Sequence, residues 1–247
     1  MKRGIIKLAA AGVIIAVISA VIGVTIHNNN MQKAEVTKGM EVIHNMETVN
    51  VADIENKIRQ MEEDELKSSE EYKNRPINVK YENSLILGDS QAEGLTAYKI
   101  LDDSEVLAHK GAHVKEAKSE MDKIVNLNPK NIFLTYGVND LGMYSTKEDF
   151  IAVYKEVVEE LMSKLPETKI YVNLIFPVQQ FAIAKQPYLA NYSEYNESIK
   201  AMCSELGITC IDSNFLVKDE LYEPDGIHMK SDFYKSWVEY MAEVAEL

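Results

Sequence analysis

Along residues 85–245, short continuous apolar runs alternate with longer segments whose apolar positions recur at helical spacing. Leu85–Leu87, Glu105–Ala108, Asn131–Tyr136, Lys169–Ile175 and Ile208–Ile211 have the length and composition of strands buried on both faces. The helical segments between and after them are Ala92–Leu101, Val114–Leu127, Lys147–Leu165, Ser193–Leu206 and Asp232–Ala245. In Val114–Leu127 the stripe runs through Val114, Ala117, Met121, Ile124 and Val125. Strict alternation of this kind predicts right-handed crossovers and a parallel sheet covered by helices on both faces, a three-layer α/β/α sandwich. Pro177 and Pro187 mark a loop between the fourth strand and its helix.

The N-terminal part follows another pattern. Residues 5–26 are almost wholly apolar, enough at helical rise to span a hydrocarbon core of about 30 Å. Lys2 and Arg3 precede this run and Lys7 lies at its N-terminal end, so the expected arrangement is a cytoplasmic N-terminus, a single span and everything after it outside. Cleavage near Ile18-Ser19-Ala20 is the competing reading and would give a secreted protein, but the apolar run continues through Val24, which favours an uncleaved anchor. Residues 28–81 are polar. Within them Val51, Ile54, Ile58 and Met61 form a helical stripe ahead of the acidic run Glu62–Glu65, which predicts a stalk. Four positions leave open whether that stripe pairs with a second copy, docks on the domain or stays free. The expected organisation is an anchor at 1–27, a stalk at 28–81 and one catalytic domain at 82–247.

Charge narrows the partners. The chain carries a formal net charge of -13, and because the first 27 residues are purely basic, the other 220 stand at -16. Nucleic acid is excluded as the main partner, since phosphate binding needs clustered Lys and Arg. Hydrophobic residues make up 46% of the sequence, sufficient for a substantial core.

Candidate chemistry collects at the predicted strand ends. The first strand runs into Gly88-Asp89-Ser90, which puts a serine at the carboxyl edge of the sheet, where open α/β folds bind ligands. The third runs into Gly137-Val138-Asn139-Asp140, which brings an amide to the same edge that could donate to a developing oxyanion. Near the C-terminus, Pro224-Asp225-Gly226-Ile227-His228 sets a carboxylate three residues before an imidazole, a base and its orienter. Each group alone also fits an ordinary turn.

Gly88-Asp89-Ser90 with Gly94, then Gly137-Val138-Asn139-Asp140, then Asp225-Gly226-Ile227-His228 together resemble the sequence blocks of the GDSL, or SGNH, hydrolase superfamily over residues 82–245. The resemblance implies the flavodoxin-like strand order 2-1-3-4-5. It also implies a serine esterase with Ser90 as nucleophile, His228 as base and Asp225 as its partner. The oxyanion would be held by the Ser90 and Gly111 backbone amides and the Asn139 side chain, Gly111 of His109-Lys110-Gly111-Ala112-His113 being the match to the family's glycine block. Asp89 and Asp140 are expected to be structural, accepting backbone hydrogen bonds. His109 and His113 lack an accompanying ligand pattern, so no metal or other cofactor is expected. Tyr188, Tyr192 and Tyr195 are candidates for a substrate groove or for packing. Cys203 and Cys210, the only cysteines, leave both a disulfide and two buried thiols open.

For an outward-facing anchored enzyme with these blocks, the expected substrate is an acylated carbohydrate or small ester, in particular an O-acetylated cell-surface glycan. Transfer of acetyl onto wall or capsular polysaccharide by the same acyl-enzyme is the close alternative. A non-catalytic binding or assembly module and a long-chain lipase are the others.

Overall fold

The computed structural model describes residues 19, 22–40 and 51–247. Most of the expected anchor over residues 5–26 therefore lies outside the described residues. Among the described residues, no helix is long and apolar enough to cross a membrane. Contacts divide the chain into two units, Met1–Leu66 and Lys67–Leu247. In the first, residues 22–40 are helical, and the stalk stripe lies in a helix, Val51–Ser68, that leaves Ile54, Ile58 and Met61 exposed.

The second unit is built on five parallel strands in the order β2-β1-β3-β4-β5. They are β1 (Ser84–Gly88), β2 (Val106–Ala108), β3 (Asn131–Thr135), β4 (Lys169–Asn173) and β5 (Thr209–Ile211). The helices are α1 (Ser90–Ala97), α2 (Met121–Leu127), α3 (Lys147–Lys164), α4 (Gln180–Lys185), α5 (Tyr192–Leu206) and α6 (Ser231–Ala245). Side chains that alternate along the strands feed two cores. Leu85, Leu87, Ile132, Leu134 and Val172 pack under Val157, Leu161 and Ile199, whereas Ile86, Phe133 and Tyr171 face Leu95, Phe233 and Trp237. Every residue of β1 and β3 is buried, the expected consequence of helices on both faces.

Three sequence expectations need correction. Val114–Leu127 is not one helix: a 3-10 turn covers Val114–Lys118, and α2 starts only at Met121. Ser119 Oγ donates back to the Glu116 carbonyl at 2.6 Å, a local side-chain bond that competes with a continuous helix, while Asp140, far along the chain, caps the first N–H, that of Val114. The helix expected over Ala92–Leu101 instead runs from Ser90 to Ala97. Asp89 caps its start, and at its end Lys99 turns left-handed, with φ of 57°, while the Ile100 N–H donates to the Leu95 carbonyl. The β4 ladder stops at Asn173 because the Asn196 side chain takes both the N–H and the carbonyl of Ile175, each at 2.8 Å.

Candidate active site

β1 delivers Ser90 to the carboxyl edge through a constrained turn. At Gly88 a Cβ would lie 2.0 Å from Thr135 Oγ1, so glycine is what allows β1 and β3 to run this close. Asp89 then caps α1, its Oδ1 accepting the Gln91 N–H at 2.9 Å. This leaves Ser90 as the first residue of a helix, at the positive end of its dipole.

His228 arrives on a loop folded back upon itself. Tyr222 and Met229 form an antiparallel bridge, the Glu223 N–H donates to the His228 carbonyl at 2.8 Å, and Gly226 turns at φ of 73°. Asp225 Oδ1 accepts the backbone N–H groups of Ile227 and His228 at 2.9 and 3.0 Å, and its Oδ2 meets His228 Nδ1 at 2.5 Å. On the far side of the ring, His228 Nε2 lies 2.9 Å from Ser90 Oγ. A carboxylate can only accept, so Nδ1 carries the proton and Nε2 is left free to take one from the serine. Burial pushes the Asp225 carboxyl up, but the His228 ring and the two backbone donors outweigh it and hold the pKa below its ordinary value. The group is therefore ionised at neutral pH and stabilises an imidazolium beside it.

Asn139 and Gly111 form a second group on the same edge. Asn139 Nδ2 donates to the Ala112 carbonyl at 3.1 Å, which ties the turn after β3 to the loop after β2 and leaves one amide hydrogen to spare. On its other side that loop is held by Asp140, which accepts the Val114 N–H at 3.2 Å. It starts beside β1, where the His109 N–H donates to the Gly88 carbonyl at 3.1 Å. Gly111 is exposed at φ of 78°. Thus Ser90, His228 and Asp225 stand in one hydrogen-bonded line. Asn139 is joined to the Gly111 loop, and no hydrogen bond among the described residues links the two groups directly.

The remaining candidates separate. Asp89 and Asp140 are buried, each accepts a backbone N–H, and burial raises both pKa values from 3.8 to about 7, Asp140 adding to the rise at Asp89. His109 and His113 face different carboxylates, Glu120 at 3.5 Å and Asp140 at 3.7 Å. Among the described residues, no group of three His, Cys, Asp or Glu side chains is placed to hold a metal ion. Cys203 and Cys210 are free thiols, and their mutual interaction raises the Cys203 pKa and lowers that of Cys210. Of the three tyrosines, Tyr195 is buried, Tyr192 packs on the core, and only Tyr188 stays open, its ring resting on Gly142. Phe181 of α4, also exposed, rests in the same way on Gly226.

Sequence reasoning passed over Gln91 and Asn173. Both are buried and line a cavity of about 20 Å³ with Asp89 and Trp237, behind the serine turn. Trp237 Nε1 donates to Asn173 Oδ1 at 3.2 Å, and Gln91 Nε2 donates to the Ile227 carbonyl at 2.8 Å. The one signal in the sequence was a glutamine on the buried side of a short helix, next to Ala92 and Leu95.

A serine on a strand-to-helix turn, met by an imidazole with a carboxylate behind it, at the edge of a five-stranded parallel sheet, defines an ester-hydrolysing serine hydrolase. The chain belongs to the GDSL-like lipase/acylhydrolase family, whose sequence profile matches residues 86–235. Solved structures agree on the fold. A GDSL-like lipase from Bacteroides thetaiotaomicron is 15% identical, with a TM-score of 0.56 over 66% of this chain and 87% of that one. A family 3 carbohydrate esterase from Talaromyces cellulolyticus is 15% identical, with a TM-score of 0.52 over 66% and 95% of the two chains. An acetyl esterase solved with acetate is 14% identical, with a TM-score of 0.51 over 66% and 95%. No curated protein matches the chain in sequence.

Proposed function

We propose that the protein removes O-acetyl groups from cell-surface carbohydrate, with Ser90, His228 and Asp225 as the catalytic residues. The observation that carries this reading is the unbroken line Asp225 Oδ2–His228 Nδ1 and His228 Nε2–Ser90 Oγ. Ser90 Oγ attacks the ester carbonyl carbon as its proton passes to His228 Nε2. The carbonyl oxygen becomes an oxyanion held by the Ser90 and Gly111 N–H groups and the spare Asn139 hydrogen. The bond from carbon to the alcohol oxygen breaks, and the alcohol leaves with the proton from Nε2. Water then attacks the acyl-enzyme, gives its proton to Nε2 and releases acetate, and Ser90 regains its hydrogen.

One feature of the surface supports a sugar substrate. At the rim, Phe181 rests on the loop of His228 and Tyr188 on the turn after Asn139, each with ring surface open to solvent beside polar neighbours such as Gln186. Open aromatic faces with polar groups at their edges suit the C–H face and hydroxyls of a sugar ring. The carbohydrate and acetyl esterases of like fold fit the same reading.

Location and assembly belong to the proposal too. The basic residues before the apolar run at 5–26 support a membrane anchor with the enzyme outside, and the exposed Ile54, Ile58 and Met61 of the stalk helix support pairing with a second copy.

The test is labelling with an active-site serine phosphonate, then hydrolysis of 4-nitrophenyl acetate, longer-chain esters and an acetylated glycan by wild type and Ser90→Ala. The expected result is one adduct at Ser90, a preference for acetyl, and loss of activity in the variant. An adduct elsewhere, or activity surviving Ser90→Ala, overturns the reading.

A further inference from the structure

Gln91 follows the reacting serine in α1, and its side chain is buried. Its Nε2 donates at 2.8 Å to the carbonyl of Ile227, a residue 136 positions further on and immediately before His228. The rest of the His228 loop is bound mainly to itself, through the Tyr222–Met229 bridge and the Glu223–His228 and Glu223–Gly226 backbone bonds. Beyond itself it is bound to Gln179, whose N–H donates to the Gly226 carbonyl at 2.9 Å, and to Pro177, whose carbonyl accepts the Tyr222 hydroxyl at 2.7 Å. α1 and its C-terminal cap reach the loop twice, through Gln91 in the interior and through Tyr98 at the exposed margin, where the hydroxyl donates to the Glu223 carboxylate at 2.9 Å.

We propose that Gln91 is a positioning residue: its buried hydrogen bond to Ile227 fixes the His228 ring against Ser90, and a side chain without a donor at that place cannot do this. The role rests on the reading of Ser90 and His228 as the reacting pair. Gln91 is adjacent to one of them and its acceptor is adjacent to the other, so this single bond spans the two elements whose relative placement sets the 2.9 Å separation. The side chain is only 5% exposed, so water does not readily replace the bond if it is lost. The need for a donor follows from its surroundings. The NH2 half meets the Ile227 carbonyl, while Gln91 lines the small cavity together with Asn173, and neither Gln91 Oε1 nor the Asn173 NH2 has a hydrogen-bond partner among the described residues. A carboxylate would set a charged oxygen against the Ile227 carbonyl and push the loop away.

The experiment compares Gln91→Leu, Gln91→Glu and Tyr98→Phe with wild type in the full chain, on 4-nitrophenyl acetate. Misplacing a catalytic group by about an ångström costs up to about a hundredfold. Gln91→Leu is therefore expected to lower kcat about tenfold to a hundredfold with KM within about twofold, and to slow phosphonate labelling of Ser90 in parallel. Gln91→Glu is expected to show a similar deficit at pH 8 that narrows relative to wild type as the pH falls and the new carboxyl gains a proton to donate. Tyr98→Phe, which breaks only the exposed tie, stays within about twofold. A Gln91→Leu protein that melts lower but keeps the kcat of its folded fraction overturns the role, as does a Gln91→Glu protein equal to wild type at pH 8. A wild-type protein that takes no phosphonate at Ser90 removes the reacting pair itself, which is a different failure.

Discussion

Replacing Asp140 by asparagine should make the protein more stable at alkaline pH and leave it nearly unchanged at acid pH. Asp140 is fully buried, accepts the Val114 N–H at 3.2 Å and faces His113 Nδ1 at 3.7 Å. Burial raises its pKa from 3.8 to about 7. Glu116 pushes the same way, while the Val114 N–H and Lys115 oppose. In the unfolded chain the carboxyl returns to its ordinary value. Between about pH 4 and pH 7 the folded protein therefore keeps a proton that the unfolded chain has lost, so stability falls as pH rises through this window and levels off above it. At 1.36 kcal/mol per pKa unit the cost of ionising Asp140 in the folded state comes to about 4 kcal/mol. Asparagine keeps an acceptor for Val114 and never ionises. Asp140→Asn should thus match wild type near pH 4 and exceed it by up to about 4 kcal/mol at pH 8, less whatever its buried amide hydrogens lose if His113 Nδ1 does not take one. Because Asp140 also raises the pKa of Asp89, that carboxyl should ionise at lower pH in the variant, and the remaining slope should move acidward. Urea denaturation at constant ionic strength from pH 4.5 to 8 reads the difference directly. A difference between variant and wild type that stays the same across this range would refute the buried-charge account.

Asn139→Ala removes the proposed oxyanion donor as well as the tie to Ala112, and kcat on an acetyl ester should fall about a hundredfold to a thousandfold in steady-state assays. Asp225→Asn keeps an oxygen for the Ile227 and His228 N–H groups but no longer fixes the proton on Nδ1, so kcat should drop about ten-thousandfold while the fold, followed by circular dichroism, persists. At Gly94 a Cβ would sit 2.2 Å from Tyr234 Oη, so Gly94→Ala should force α1 away from α6 and cost about 1–3 kcal/mol in thermal unfolding.

The strands were legible because a sheet covered on both faces demands continuous apolar runs. Leu85–Leu87 and Ile132–Leu134 have no other reading once turn residues bound them. Ser90 and Asn139 were legible as candidates because they follow strands closely, where a change from apolar to polar is visible locally, and His228 because Asp225 stands three residues before it. What escaped was set by partners far along the chain. Nothing near Val114 announces that Asp140 will hold its N–H, and nothing near Ile175 announces that Asn196 will end a strand. Gln91 is the same case, a polar side chain whose reason lies 136 residues away. Helix α4 was missed because six residues between two prolines give too short a window for periodicity.

The serine and the asparagine rise from β1 and β3, strands paired on both sides, whereas the histidine follows β5 at the border of the sheet, after two single-turn 3-10 segments at Asn214–Leu216 and Asp219–Leu221. On warming, that border region should loosen first, since free energies of local opening follow how densely a segment is paired and packed. The molecule would then fall silent, reversibly, at temperatures where its interior still resists hydrogen exchange, so its working ceiling would be set by one loop and not by the melting of the whole.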